Sequence, residues 1–347
     1  MAANGYIEKL IDQELSMKIS LRVITIIFIF AAGIFAQNPN LGTAGAQFLK
    51  IPISARAVAL GGAFTAMADD ATAVFWNPAG IANIKDNSAH FSYIRWFDMF
   101  DVSAASYVHN LGLFGNLGIG VLVFSTEKME VTTETSPNGT GRFFDAQDMA
   151  LSLTYSRALT DRFSAGISLK YINQRIWNET ANGVAFDVGT QYHLDFQNIV
   201  IAMSMFNFGP DLRFAGPDLS VRYDYNTFLQ NRLLPSNLET EDYPLPLSFQ
   251  FGLAFDIYNM QFFTVRGSVD AVHLSDNNEL INFGGEVGLY DRLFLRGGYK
   301  MTHDDQDYSL GLGVNTFLGS FLMKIDYAYV GYNILPDVHF LSIGFDF

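Results

Sequence analysis

The sequence predicts an all-β protein, a 14-stranded antiparallel transmembrane β-barrel with an N-terminal hatch or plug segment. Three observations predict this fold. Apolar residues alternate with small or polar residues along most of the 347-residue chain, as in strands with two unlike faces. After residue 36, no apolar run reaches the roughly 18 residues that a membrane-spanning helix needs. The last segment, His339–Phe347, alternates and ends on an aromatic side chain.

The composition excludes several classes of protein. Hydrophobic residues make up 49% of the chain and charged residues 16%, so a disordered chain is not expected. The absence of cysteine excludes a disulfide scaffold and a cysteine-ligated zinc site. With 35 acidic against 21 basic residues, the formal net charge is -14, which argues against binding of nucleic acid.

Residues 1–36 are predicted to be an N-terminal extension and a secretion signal peptide. Lys18 and Arg22 precede an apolar stretch that is short for a membrane span and typical of a signal peptide. We therefore expect translation to start at Met17 and cleavage to follow Ala36. An N-terminal membrane anchor is the alternative.

The hatch is predicted at residues 37–87 and the barrel at residues 88–347. Short connections alternate with long ones, such as residues 132–144 and 209–246, which is the pattern of an outer-membrane barrel. An even number of strands returns the C-terminus to the short-turn, periplasmic side. A soluble β-sandwich or a repeat protein is the alternative to the barrel. The predicted strands span residues 88–97, 102–110, 115–131, 145–158, 162–178, 183–194, 199–208, 247–256, 260–273, 279–290, 292–302, 307–317, 320–331 and 337–347.

The apolar face of these strands predicts contact with outer-membrane lipid. A backbone in lipid must satisfy its hydrogen bonds internally, so such strands have to close into a barrel. The final aromatic residues Phe345 and Phe347 resemble the signal by which outer-membrane proteins are recognised for barrel insertion. We therefore expect a protein integral to the bacterial outer membrane.

The opposite face of the strands is small and polar and is predicted to line the lumen. Its charges have both signs, so a ring that selects ions of one sign is not predicted. One interpretation is that these charges grip the hatch, through Arg56 and Asp69; the other is ordinary solvation of a water-filled barrel. The predicted lumen charges are Lys170, Asp187, Arg266, Asp270, Glu286, Arg296, Lys300, Lys324 and Asp326.

Residues 42–84 are rich in Gly and Ala and alternate poorly, which predicts a compact plug with close backbone approaches. Pro78 disfavours helical geometry at Asn77, so a turn is expected there. Asp69 and Asp70 are candidates to cap the helical piece that follows or to pair with basic residues of the lumen.

These residues resemble the hatch of the FadL-like outer-membrane superfamily, specifically of its PorV/PorQ branch. The resemblance rests on the runs Ser54–Ala57, Leu60–Ala63, Ala68–Ala71 and Trp76–Gly80, in that order. The last run looks PorV-like, whereas the first two look PorQ-like. The resemblance implies a fourteen-stranded barrel with the Asn-Pro-Ala turn in a hatch inside it. The hatch motif comprises Arg56, Gly61, Gly62, Asp69, Asp70, Trp76, Asn77, Pro78, Ala79 and Gly80.

In the PorV/PorQ branch, members serve type IX protein secretion in Bacteroidetes-like bacteria. The resemblance therefore implies a role in secretion or surface attachment through protein–protein contacts, with secreted cargo or secretion-system proteins as partners. The alternative is a FadL-like passive transporter of hydrophobic solutes, with a hydrophobic ligand as its partner. That alternative predicts that Phe124, Phe206, Phe208 and Phe294 face inward.

The connection at residues 209–246 is too long for a passive linker. Its aromatic and apolar content predicts either a contact surface for a protein or a solute, or a lid folded over the barrel mouth. The candidate contact residues are Phe214, Tyr223, Tyr225, Phe228, Leu233 and Leu234.

No constellation in the sequence indicates catalysis. The six histidines are scattered, and no metalloprotease, nucleophile-elbow or phosphate-loop motif is present. The acidic run His303–Asp307 is interpreted either as a Ca²⁺ site or, more simply, as a solvated loop tip. We therefore expect no enzyme activity, no cofactor and no metal.

Overall fold

The computed structural model describes residues 40–224, 233–301 and 306–347. The predicted signal peptide lies outside these ranges, and so do Tyr225 and Phe228 of the predicted contact loop and most of the predicted acidic run. Within the described ranges, no helix is long and apolar enough to cross a membrane.

In the described residues, fourteen antiparallel strands form one closed barrel, which confirms the predicted fold class. The first strand pairs with the last, from Ser88 opposite Asp346 to Ile94 opposite Phe340. Closure leaves no free edge in the wall, so its backbone hydrogen bonds are satisfied inside the barrel. The strands are β1 Ser88–Trp96, β2 Phe100–Asn110, β3 Asn116–Thr126, β4 Ala146–Ala158, β5 Phe163–Ile176, β6 Glu179–His193, β7 Val200–Phe208, β8 Ser248–Met260, β9 Phe263–Leu274, β10 Leu280–Leu289, β11 Leu293–Met301, β12 Gln306–Leu318, β13 Phe321–Tyr332 and β14 Val338–Asp346.

Side chains alternate between the lumen and the outside along each strand, as β5 illustrates. Ser168 and Lys170 are buried, whereas Leu169 and Tyr171 are 46% and 42% exposed. Because the outward side chains are apolar and the wall is closed, the outer surface suits the hydrocarbon of a bilayer. This is the surface of a protein integral to the bacterial outer membrane.

The two ends of the barrel differ in the length of their connections. At the end where β1 begins and β14 finishes, the connections are short, as at residues 261–262. At the other end, residues 127–145 and 209–247 form long loops, and the second contains a hairpin of Ser220–Asp224 with Leu233–Asn237. In outer-membrane barrels the long loops are extracellular, so the end that holds both termini of the barrel is periplasmic.

The segment before β1 folds into short helices inside the lumen. Its apolar residues, such as Leu60, Phe64 and Ile81, are fully buried and pack with Val108 and Ala202 of the wall. The barrel therefore has a packed core that this segment supplies. The helices are a 3-10 helix Gln47–Lys50, α1 Ala55–Ala59, α2 Ala73–Trp76 and a second 3-10 helix Pro78–Asn83.

Three strand limits differ from the prediction by four residues or more. β6 begins at Glu179, four residues earlier than predicted. β3 ends at Thr126, earlier than predicted, because Met129–Glu130 leaves the wall and pairs with Phe143–Phe144 in the loop. β8 continues to Met260 without the predicted break, and an irregularity in its register after Asp256 accompanies this extra length.

Candidate functional site

The N-terminal segment runs through the lumen from the extracellular end to the periplasmic end. At the extracellular end, Gly42 N donates a hydrogen bond to the Asp276 carbonyl at 3.1 Å. At the periplasmic end, the Asn116 side chain at the start of β3 donates to the Ile84 carbonyl at 2.8 Å. We refer to residues 40–87, the described part of the predicted hatch, as the hatch.

Lumen-facing glycines of the wall form a seat for the hatch backbone. A Cβ atom at Gly284 would lie 2.8 Å from the Leu60 carbonyl oxygen, and one at Gly298 would overlap the backbone of Gly61. Only residues without a side chain allow so close an approach, so these glycines fix where the hatch lies. The lumen-facing glycines against the hatch are Gly118, Gly120, Gly166, Gly189, Gly252, Gly284, Gly298 and Gly311.

The turn at Asn77 is held by the Asn77 side chain. Its Oδ1 accepts a hydrogen bond from Ala79 N at 3.1 Å and caps the 3-10 helix that Pro78 begins. Its Nδ2 donates to the carbonyl of Thr65 at 2.9 Å and to that of Thr190, in β6, at 3.3 Å. One buried amide therefore joins two parts of the hatch to the wall.

Other residues of the predicted hatch motif shape the hatch itself. Gly61 and Gly62 have φ angles of 67° and 81°, in the left-handed region that favours glycine. The Trp76 indole donates to a hatch carbonyl at 2.8 Å. A Cβ atom at Gly80 would overlap the backbone of Ala68. These residues let the chain fold back on itself in a narrow space.

Charged side chains join the hatch to the wall. Arg56 donates to Asp69 and, at 2.9 Å, to Asp70, both in the hatch. Its Nε lies 3.6 Å from a carboxylate oxygen of Glu286, in β10. The side chains of Arg56 and Glu286 are 13% and 3% exposed, so solvent screens their attraction only weakly.

A second arginine extends this contact along the wall. Arg296 Nε donates to Glu286 at 2.7 Å, and its Nη1 donates to Asp326 in β13. The side chains of Arg296 and Glu286 are 4% and 3% exposed, so the opposite charges of this network have to compensate each of them. The structure thus brings four of the predicted lumen charges together with Arg56, since Arg266 also lies 3.9 Å from a carboxylate oxygen of Glu286.

The other predicted lumen charges have partners of their own. Asp270 accepts hydrogen bonds from the backbone nitrogens of Phe64 and Thr65 at 3.0 and 2.8 Å, so it also holds the hatch. Lys170 of β5 forms an ion pair at 3.0 Å with Asp187 of the neighbouring strand β6. Arg266 also contacts Asp256, Lys300 donates to Gln306, and Lys324 pairs with Asp346.

Two cavities lie between the hatch and the extracellular loops. The mouth cavity measures about 500 Å³. Aromatic side chains of its lining pack against one another, with ring centroids 4.7 Å apart for Trp96 and Phe97 and 5.1 Å apart for Phe97 and Tyr332. The hatch cavity measures about 230 Å³ and reaches Trp76 of the hatch and Phe206 of the wall. The aromatic residues of the mouth cavity are Phe48, Trp96, Phe97, Phe100, Phe124 and Tyr332.

Of the four phenylalanines that solute transport predicts to face inward, three do so. Phe124 lines the mouth cavity, Phe206 lines the hatch cavity, and Phe294 lies in the lumen with a guanidinium 5.1 Å above its ring. The prediction for Phe208 is wrong, because this ring faces outward and is 57% exposed. Asn207 has a φ of 61° at a register shift, so Phe206 and Asn207 both face inward and the alternation inverts after them.

The base of the long extracellular loop folds over the barrel mouth. Leu212 and Leu245 are 2% and 4% exposed, and the ring of Phe214 lies 5.8 Å from that of Tyr243. This part of the loop has the packing of a lid, and Phe214 belongs to it. The backbone of three further candidate contact residues lies in the hairpin of this loop, at Tyr223, Leu233 and Leu234.

Tyr243 connects this lid to the wall. Its hydroxyl donates to Gln174 Oε1, in β5, at 3.0 Å. Burial, and then the nearby Asp148 carboxylate, raise the pKa of Tyr243 to about 12. Tyr243 therefore remains a protonated donor at every physiological pH.

The C-terminal aromatic residues lie on the outward face at the periplasmic end. Phe347 is 46% exposed, and its ring lies 6.3 Å from that of Tyr107 and 5.7 Å from that of Phe321. Phe345 shares this outward face of β14. Together these rings form part of an aromatic girdle at the membrane interface.

Part of the chain is similar to a family without an assigned role. The model of an uncharacterised protein family, UPF0164, matches residues 30–151, which include the hatch and the first three strands. A UPF0164 protein of Treponema pallidum (strain Nichols) is 36% identical over 89 residues, 25% of this chain and 22% of that protein. The chain thus spans about a fifth of the length of this curated relative.

Solved structures resemble nearly the whole barrel. The toluene transporter TbuX of Ralstonia pickettii superposes with a TM-score of 0.52 at 12% identity, covering 83% of this chain and 96% of TbuX. A FadL homologue of Pseudomonas aeruginosa has a TM-score of 0.53 at 12% identity, covering 86% and 99%. The monoaromatic hydrocarbon channel CymD also reaches 0.53 at 12% identity, covering 86% and 98%. This chain therefore has the fold of the FadL-like, fourteen-stranded outer-membrane barrels.

Proposed function

We propose that this protein is a passive outer-membrane channel for hydrophobic solutes. The mouth cavity carries the proposal, because about 500 Å³ of space lies at the extracellular end of the barrel and six aromatic residues line it, beside polar side chains such as Lys50 and Asp148. Transfer of apolar surface from water into such a cavity is favourable by about 25 cal/mol per Å². The volume suits a solute of one or two rings.

The hatch cavity supplies the next part of the route. It adjoins Phe75, Trp76 and Phe206, and residues 50–52 lie between it and the mouth cavity. Below it, the hatch fills the lumen in the described part of the chain, seated on the wall glycines. Passage of a solute therefore requires movement of part of the hatch, as in proteins that gate access by loop motion.

The names of two structural neighbours support the same proposal. TbuX is named a toluene transporter and CymD a monoaromatic hydrocarbon channel. Their fold and the aromatic mouth cavity together favour solute transport over a role in protein secretion or surface attachment. The PorV/PorQ role in type IX secretion, which rests on the hatch motif, stays a prediction.

Uptake of radiolabelled toluene by Gram-negative cells with an intact lipopolysaccharide leaflet tests the proposal. Phe124→Ala removes a ring from the mouth cavity, and Phe208→Ala removes one from the lipid face as the matched control. We expect the wild-type protein to raise the initial uptake rate. Phe124→Ala should lower this gain about ten-fold, because a lost aromatic contact costs roughly 1.5 kcal/mol, and Phe208→Ala should leave it unchanged.

Uptake equal to that of cells without the protein would refute the channel. Mass spectrometry of molecules that copurify in mild detergent separates the two roles. Apolar solutes would support the channel, whereas secreted cargo or secretion-system proteins would support the role in secretion.

A further inference from the structure

The first part of the hatch crosses the lumen between the two cavities. We call residues 40–53 the strap. Lys50, Ile51 and Pro52 of the strap line both the mouth cavity and the hatch cavity. Because the strap is a shared boundary, its position decides whether the two cavities are joined.

One residue of an extracellular loop holds the outer end of the strap. Asp276 lies in the connection between β9 and β10, and its side chain is 1% exposed. Lys50 Nζ donates to its two carboxylate oxygens at 3.1 and 3.0 Å, and Gln47 Nε2 donates to Oδ2 at 2.6 Å. Its carbonyl accepts the hydrogen bond from Gly42 N at 3.1 Å. Three strap residues therefore converge on Asp276.

Single hydrogen bonds between uncharged groups hold two further points of the strap. Gly45 N donates to the Pro244 carbonyl at 3.0 Å, next to the Tyr243 ring of the long loop. The inner end is held by Trp76, whose indole donates to the Ile53 carbonyl at 2.8 Å. Phe48, 4% exposed, packs in the apolar core near the outer end of the strap. Among the polar contacts described above, the charged one at Asp276 is the strongest at the outer end, since hydrogen bonds between ionised groups are about twice as strong as neutral ones.

We propose that Asp276 is the catch of a gate, in which the strap closes the passage between the two cavities while Asp276 holds it. Release of Lys50 and Gln47 frees the outer end of the strap and joins the cavities. Asp276 lies in a loop, so its release leaves the pairing of the barrel strands intact. The gate rests on the proposed function, because it controls the step at which a captured solute reaches the hatch.

Thiol labelling tests the gate without any transported solute, because the chain has no cysteine of its own. Ala150→Cys places a thiol in the hatch cavity, and Leu335→Cys places one in the mouth cavity. We expect Asp276→Ala to raise the rate at which N-phenylmaleimide labels Ala150→Cys about ten-fold, which corresponds to roughly 1.4 kcal/mol in the opening equilibrium. Labelling of Leu335→Cys should not change.

Asp337→Ala is the matched control, because this loop carboxylate accepts hydrogen bonds from Tyr329 and Tyr332 of β13. Lys50→Met removes the same ion pair from the strap side and replaces Asp276→Ala if that variant does not fold. We call Asp276→Ala and Lys50→Met the catch variants. If Ala150→Cys were labelled at the same rate with and without these substitutions, the gate would be overturned.

Toluene uptake by the same proteins separates the two proposals. Uptake that fails while the catch variants label faster would refute the channel and support the gate. Uptake that succeeds with unchanged labelling would refute the gate alone.

Discussion

The two faces of β11 are built to different requirements. The outward face is apolar and meets lipid, through Leu293, Leu295, Gly297 and Tyr299. The inward face meets the hatch, the charged network and the cavities, through Phe294, Arg296, Gly298 and Lys300. Residues one position apart in the same strand therefore have unlike surroundings.

Lipid accepts most apolar side chains, because fluid hydrocarbon adapts to their shape. The hatch is close-packed, and its charges and backbone contacts have fixed positions. The side chains of the inward face therefore have to fit it in shape and charge. Tolerance to substitution should therefore alternate along β11 with the same period as the side chains. Paired substitutions at neighbouring positions measure this difference directly.

The largest effect is expected where the inward face carries charge. Arg296→Met removes the guanidinium that Glu286 and Asp326 share, leaves a net negative charge in the lumen, and should lower the free energy of unfolding by roughly 4 kcal/mol. Leu295→Met, its outward neighbour, conserves volume and should cost less than about 1 kcal/mol. Urea denaturation in lipid vesicles measures both values. Equal losses in the free energy of unfolding would show that the inward face tolerates substitution as well as the outward face does.

The next effect is purely steric. Gly298→Ala puts a methyl group into the backbone of Gly61, whereas Gly297→Ala meets only Leu310, at 3.8 Å. We expect Gly298→Ala to destabilise the protein by roughly 3 kcal/mol through overpacking, and Gly297→Ala to be nearly neutral. A displaced hatch should also raise the leak conductance in planar bilayers for Gly298→Ala alone. Unchanged conductance and stability would mean that the glycine seat does not position the hatch.

The lipid face could be predicted from the sequence, because alternation in hydropathy follows directly from the pleat of a strand. This is why the strands and the closed barrel were predictable. The exception, Phe208, follows a bulge at Asn207, and a single inserted residue has no signature in the hydropathy pattern. The face of a strand is therefore predictable only up to its first irregularity.

The contacts of the hatch were largely unpredictable. Asp270 binds the hatch through the backbone nitrogens of Phe64 and Thr65, a type of donor that nearly every residue has. Closure of the barrel, rather than any local pattern, brings these distant positions together. The glycine seat does leave a signal, since Gly284 and Gly298 pair across adjacent strands, where glycine is normally disfavoured.

The smallest effect is expected for a contact between uncharged groups of the hatch and the wall. Asn77→Ala removes three hydrogen bonds of a buried amide, and we expect a loss of roughly 2 kcal/mol in the free energy of unfolding. The loss stays below that for Arg296→Met because no charge is left behind, and because Thr65 keeps a hydrogen bond from Gln191 at 3.4 Å. Asn173→Ala, on the outward face of β5, removes an exposed amide and should cost less than about 0.5 kcal/mol. If the same urea titrations gave equal losses for the two asparagines, the hatch would depend on shape and charge alone, and the Asn-Pro-Ala turn would have no part in holding it.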